Sequence, residues 1–265
     1  MANQVYNNFF LSNTVEDQFA SHLDLQQFCT VDRSLVGVAG MKHVVNSYRA
    51  TNGTEKLTVG QGNTKSIEVS YTPVEYVIAL AQNRFVWQDE HAMTDPMLVP
   101  TGMKHAGTDM FNTVQADIYG EFAKTGLVVP ATAPDFDAFV DASAALNLEN
   151  LEGVAVFAFV CPKDKAKIRK ALKDDLKYVE EYAKNGYIGT VAGINLYTKQ
   201  NATEGEIIVA TKDAVTIFEK KGVEVEIPPR SAADANTRTN TAFSRKYYVV
   251  ALTDETKAVK INLNA

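Results

Sequence analysis

Between residues 66 and 71 polar and apolar side chains alternate without a break, Ser66-Ile67-Glu68-Val69-Ser70-Tyr71, as in a strand with one wet face. Upstream, His43 to Tyr48 is a second β-prone run. Asn52-Gly53 and Gly60-Gln61-Gly62-Asn63 lie between the two, and these are turn and loop residues. The economical reading is a long two-stranded hairpin projecting across residues 40–80. An isolated ribbon of two strands is barely stable in water, so this one must rest on its own body or on a neighbour. No other feature of the sequence limits the fold as much.

Around the hairpin the hydrophobic period switches repeatedly. Residues 1 to about 35 show no sustained period and read as an extended or irregular arm. After Pro73, which interrupts the alternation, Val74 to Trp87 is again strand-like. Met103, Ala106, Met110, Val114, Ile118 and Phe122 then recur at three- and four-residue spacing, one face of a helix. Pro100 suits its first turn and Gly126 the position past its end. A helix of about 100–125 would span ~39 Å at about 1.5 Å per residue. Gly102, Gly107 and Gly120 weaken it.

Next come a short helix around Phe136, Phe139 and Val140, and a buried strand from Val154 to Val160. Pro162 closes that strand, and a helix with Ile168, Leu172, Leu176 and Val179 on one face follows. The segments Thr190 to Tyr197 and Glu206 to Ala210 return to β character. Val223, Val225 and Ile227 alternate with Glu224 and Glu226, and a polar stretch, Ser231 to Thr241, leads to Tyr247 through Leu252. The turn Thr253-Asp254-Glu255-Thr256 and the alternating Val259, Ile261 and Leu263 then predict a closing hairpin.

With 46% hydrophobic and 22% charged residues, the 265-residue chain has the composition of an ordinary globular protein. No run is long and apolar enough for a membrane span, and Met1 to Phe10 lacks the basic and apolar regions of a secretory signal. Cys29 and Cys161 are the two cysteines, which suits a reducing cytoplasm rather than a disulfide framework. The net charge of −6 argues against a protein whose main work is gripping nucleic acid, since that rests on Lys and Arg neutralising phosphates. A mildly acidic wall around DNA remains compatible with it.

The sequence names no catalytic, cofactor-binding or metal-binding residues. None of His22, His43, His91 and His105 stands three to five residues from another His or a Cys. Gly60-Gln-Gly-Asn-Thr-Lys65-Ser66 fails as a phosphate loop, because Val59 and Thr64 stand where glycines belong and a strand follows. Asp174-Asp175 and Glu180-Glu181 sit among lysines on an amphipathic helix, where ion pairing explains them. Asp135, Asp137 and Asp141 suit the start of a helix. Cys161 reads as a buried, inert thiol.

The order of these elements resembles the major capsid protein fold of tailed bacteriophages, also used by encapsulin shells. Residues 40–80 resemble that family's extended loop. Phe85-Val-Trp-Gln-Asp-Glu90 and the long helix resemble its peripheral domain with a spine helix. Gly205-Glu-Ile-Ile-Val-Ala-Thr-Lys-Asp-Ala-Val215 is similar to a strand and loop of its axial domain. The resemblance implies an α+β chain with an N-terminal arm at 1–39, the extended hairpin loop at 40–80 and peripheral-domain residues at 81–150. An axial domain at 151–230 and a return with the closing hairpin at 231–265 complete it. It further implies a non-enzymatic subunit that assembles with itself into hexamers and pentamers of an icosahedral shell around DNA bound without sequence preference. A portal protein, a separate scaffolding protein and decoration proteins would be its partners, with assembly in the host cytoplasm and residence in the virion. The chain opens almost directly on the arm, so scaffolding would come from another protein. Lys56 and Lys65 lie in the hairpin, but no acceptor Asn or activating carboxylate identifies a crosslink. An encapsulin-type compartment around enzyme cargo is the first rival, and a soluble α+β enzyme the second.

Overall fold

Strands that neighbour one another in sequence are divided here between separate sheets. The computed structural model describes residues 24–148, 154–172 and 189–263. After a 3-10 turn at Leu25–Phe28 come strands β1 (Thr30–Asp32), β2 (Lys42–Ala50), β3 (Val69–Val77) and β4 (Ala79–Gln88). Helices α1 (Asp89–Thr94) and α2 (Leu98–Phe122), β5 (Val128–Pro130), α3 (Phe136–Ala145), β6 (Val156–Val160) and α4 (Pro162–Ala171) follow. The described chain ends with β7 (Thr190–Val191), β8 (Ile194–Thr198), β9 (Glu206–Thr211), β10 (Val215–Glu226), α5 (Ala232–Asn236), β11 (Thr239–Leu252) and β12 (Ala258–Asn262).

One sheet has the order β1-β10-β11-β4, a second β5-β12-β9-β6-β8-β7, and β2 pairs with β3 alone. The second sheet is covered on both faces, which is why its central strands read as unbroken apolar runs. Phe157, Phe159, Ile208 and Ala210 face one core, while Ala158, Val160, Ile207 and Val209 face the other. The first of those cores also takes Val114, Ile118 and Phe122 of α2 with Ile217 and Val250 of the four-stranded sheet, and so joins the two sheets. The second is capped by Phe139 of α3 and Ile168 of α4.

Helix α2 links the first of these cores to a third, formed by Trp87, Val99, Met103, Val225 and Ala242. Its expected apolar face is the buried one, with Met103, Met110, Val114, Ile118 and Phe122 each at most 2% exposed. It runs unbroken through its glycines. Gly102 has a packing reason, since a Cβ there would lie 2.2 Å from the Phe85 ring.

Several expectations are corrected. The predicted closing hairpin does not form: β11 pairs with β10 and β4, whereas β12 pairs with β9 and β5. The chain changes sheets at residues 253–257, where the Ala214 carbonyl accepts from the amides of both Thr253 and Asp254 at 2.9 and 3.1 Å. The polar stretch 231–241 holds α5, capped by Ser231, and the first residues of β11. Pro73 does not end the strand but sits within β3 opposite Asn46, as a ribbon with two outer edges allows. The break falls instead at Ile78, which is 3% exposed.

The Thr190 to Tyr197 segment is a hairpin, not one strand. It turns at Ala192 and Gly193, both at positive φ. Neither sheet is drawn from one continuous stretch of chain. Strand β10 lies with β4 and β11, while β5 and β12 lie in the other sheet. Of the arm at 1–39, residues 1–23 fall outside the described residues. Leu25 and Cys29 are buried in the chain's own core and β1 pairs in parallel with β10, so this end is anchored at home. Leu176 and Val179 also lie outside the described residues.

Candidate assembly surface

The ribbon of β2 and β3 is built by cross-strand pairing from Lys42 opposite Val77 to Ala50 opposite Val69. Residues directly opposite share a face. One face therefore carries Val44, Val69, Tyr71 and Val77, which are 52%, 64%, 65% and 55% exposed. The reverse face begins with His43 opposite Tyr76, and both rings pack on Phe218 of β10, at centroid distances of 4.8 and 5.0 Å. The root of the ribbon thus rests on the body. The alternation at 66–71 does encode a face for burial, but within one chain that face is bare to solvent.

The loop that closes the ribbon is ordered by its own polar groups. Glu55 accepts hydrogen bonds from the amide and hydroxyl of Thr64, both at 2.9 Å, and these hold its carboxyl below the usual carboxylate range. Asn63 donates to the Gly53 carbonyl at 3.2 Å. Gly53 is required here because a Cβ would come within 2.7 Å of the Ile67 amide nitrogen. The segment that superficially resembled a phosphate loop therefore spends its amide and hydroxyl donors on a carboxylate of the same loop. Leu57 and Val59 stand out from it, 48% and 107% exposed.

On the body, a groove of about 510 Å³ runs between β4 and the start of α2, lined by residues including Arg84, Phe85, Asp95, Leu98 and His105. Met93 and Met97 beside it are 78% and 64% exposed.

The other residues weighed from sequence are dispersed. His91 is exposed on α1, His105 is exposed on α2, and His22 lies outside the described residues. Asp135 caps α3 through the Ala138 amide at 3.0 Å, as expected of a helix start. Cys161 is buried at the start of α4. Burial, reinforced by Asp24, pushes the Cys29 thiol up to about 12. Lys56 and Lys65 are exposed in the loop, and Asp174, Asp175, Glu180 and Glu181 fall outside the described residues. Among the described residues no three His, Cys, Asp or Glu side chains gather to hold a metal, and no helix is long and apolar enough to cross a membrane.

Sequence reasoning did not find the buried ionic contacts. Glu219 of β10 meets Arg33 at 2.8 Å and Lys246 of β11 at 3.2 Å, tying the segment after β1 to the four-stranded sheet. Asp164, fully buried, accepts from the Gly205 amide and from Lys167, each at 2.8 Å. Lys246 is 6% exposed, and no local pattern names its partner.

Two sheets that share a core, a long helix that spans both and a projecting ribbon make up the fold. The chain is similar to the capsid of cyanophage P-SCSP1u, with a TM-score of 0.69 at 13% identity over 89% of this chain and 86% of that one. It is also similar to the SrpI encapsulin of Synechococcus elongatus, with a TM-score of 0.63 at 11% identity over 90% and 86%. These likenesses establish the fold. In sequence it is 29% identical over 164 residues to the major capsid protein of Staphylococcus phage phiMR11. That match covers 60% of this chain and 56% of the relative, so the chain spans little more than half of the relative's length. No family model matches. The chain has the major capsid protein fold of tailed phages, as the order of its elements implied, and its sequence relative is a major capsid protein, not an enzyme.

Proposed function

We propose that this chain is the structural subunit of an icosahedral phage capsid, assembling with itself as hexamers and pentamers around the genome. The observation that carries this is the ribbon, on which Val44, Val69, Tyr71 and Val77 of one face are exposed while the root of the other packs on the body. A subunit held by several such contacts gains by multivalency even where each is weak. In this reading the four-stranded sheet with α2 is the peripheral domain, the six-stranded sheet with α3 and α4 the axial domain, and the ribbon the extended loop. Portal, scaffolding and decoration proteins are its further partners. The shell forms in the host cytoplasm and ends in the virion, and the net charge of −6 suits a wall that encloses DNA without holding it.

Expression of the chain, alone and with its genomic neighbours, followed by light scattering and electron microscopy tests this. Rings or closed particles are expected, and they should be lost when residues 52–64 are deleted. A persistent monomer under every condition, or particles indifferent to the deletion, overturns it. The fold likeness to an encapsulin supports a second reading, a compartment around enzyme cargo. The contents of purified particles, DNA or protein, separate the two.

A further inference from the structure

The ribbon meets the body through few contacts, and one of them is titratable. His43, near the start of β2, packs on the Phe218 ring and brings Nε2 to 3.7 Å from Oδ2 of Asp32, the last residue of β1. Its cross-strand neighbour Tyr76 stacks on the same ring. On the outgoing strand the Ile78 amide donates to the Met41 carbonyl at 2.8 Å, closing the ribbon at its base. Among the described residues, these groups help set the angle at which a ribbon of nine paired positions leaves the body.

The other charges around this joint are already engaged. Lys220 of β10 donates to the carbonyls of Val38 and Gly40. Arg33 pairs with Glu219, Lys42 with Glu75, and Glu121 of α2, whose charge reaches Tyr76, with Lys124. Asp32 uses its other oxygen, Oδ1, to accept from the Ser34 amide at 2.8 Å. Its Oδ2 is the carboxylate atom that His43 meets.

We propose that His43 and Asp32 form a pH-sensitive seat that governs how freely the ribbon swings on the body. With a neutral imidazole, the contact is ring packing beside a carboxylate. With a protonated one, the same geometry becomes an ion pair across the joint. Imidazole is the side chain that makes this change between about pH 5 and 8. Acidification therefore tightens the joint and alkalinity loosens it, so the direction in which the subunit offers its apolar face depends on pH. The side chains of His43 and Asp32 are 21% and 33% exposed, so solvent protons reach both. The seat belongs to the single subunit, so its failure would leave the shell reading standing.

The test is amide hydrogen exchange on the purified, unassembled subunit at pH 6 and pH 8, corrected for intrinsic exchange and read at Ile78 and along β2 and β3. Opening at the joint is expected to be about threefold rarer at pH 6, the scale of a part-exposed ion pair. His43→Gln and Asp32→Asn should each abolish the difference. Asp32→Asn keeps the acceptor for Ser34, so it carries the test if His43→Gln does not fold. Equal opening at both pH values in the parent chain, or a difference that persists in Asp32→Asn, overturns the proposal.

Discussion

Tyr248 of β11 donates a 2.6 Å hydrogen bond to Oδ2 of Asp117 on α2, joining the long helix to a strand 131 positions away. The ring is buried while the carboxylate stays in contact with water. Burial, then the bond to Asp117, push the phenol well above the ordinary tyrosine range. Tyr248→Phe should cost about 1 kcal/mol in urea unfolding, since Asp117 remains hydrated when the bond is lost. The raised value means this contribution is complete below about pH 10 and is lost as pH rises through the folded value. In an alkaline absorbance titration, one of the 11 tyrosines should ionise only as the chain unfolds.

Glu219 bridges Arg33 and Lys246. Burial works to raise its carboxyl, but Lys246 and Arg33 outweigh burial and hold it below the usual glutamate value. Its stabilising contribution is therefore present above about pH 4.3 and fades as pH falls through the lower folded value. Glu219→Gln should lower unfolding free energy by about 2–3 kcal/mol at pH 7 and flatten the acid limb of the stability profile. Urea midpoints measured from pH 3 to 7 check both effects.

Gly102→Ala sets helix propensity against packing. Alanine favours the helix by about 1 kcal/mol. Its Cβ, however, would overlap the Phe85 ring, which stacks on Trp87 at a centroid distance of 5.2 Å. Overpacking of that kind costs about 1–3 kcal/mol, so a net loss of roughly 1 kcal/mol is expected. Trp87 is the single tryptophan, and its fluorescence should shift in the folded variant.

Val69→Asp separates folding from assembly. Val69 is 64% exposed at the far end of β3, so monomer stability should change by no more than about 0.5 kcal/mol. Particle formation, read by light scattering, should fail because a carboxylate would enter the face the ribbon presents to its neighbour.

Cys29 is 1% exposed, with a thiol held protonated. At pH 8 a thiol reagent should label it only as fast as the segment around Leu25 opens. Glu219→Gln, which weakens the hold of Arg33 just downstream, should speed that labelling several-fold.

The sequence by itself determined most of the helical and strand stretches, though not α5 in the polar stretch 231–241 or the turn inside 190–197, and which side of several seeks burial. The face of α2, the apolar run of β6 and the alternation of Val223 and Val225 in β10 are all legible because period follows backbone geometry, a local property. It also showed that the 40–80 ribbon needs support. Tertiary structure alone decided the partners. Tyr247 through Leu252 and Val259 through Leu263, parted by a turn, read as a hairpin, yet they enter different sheets that pack across one shared core. Period records that a face will be buried, not against what. That depends on contacts between residues far apart in sequence, such as Glu219 with Arg33 and Tyr248 with Asp117, which no local pattern specifies.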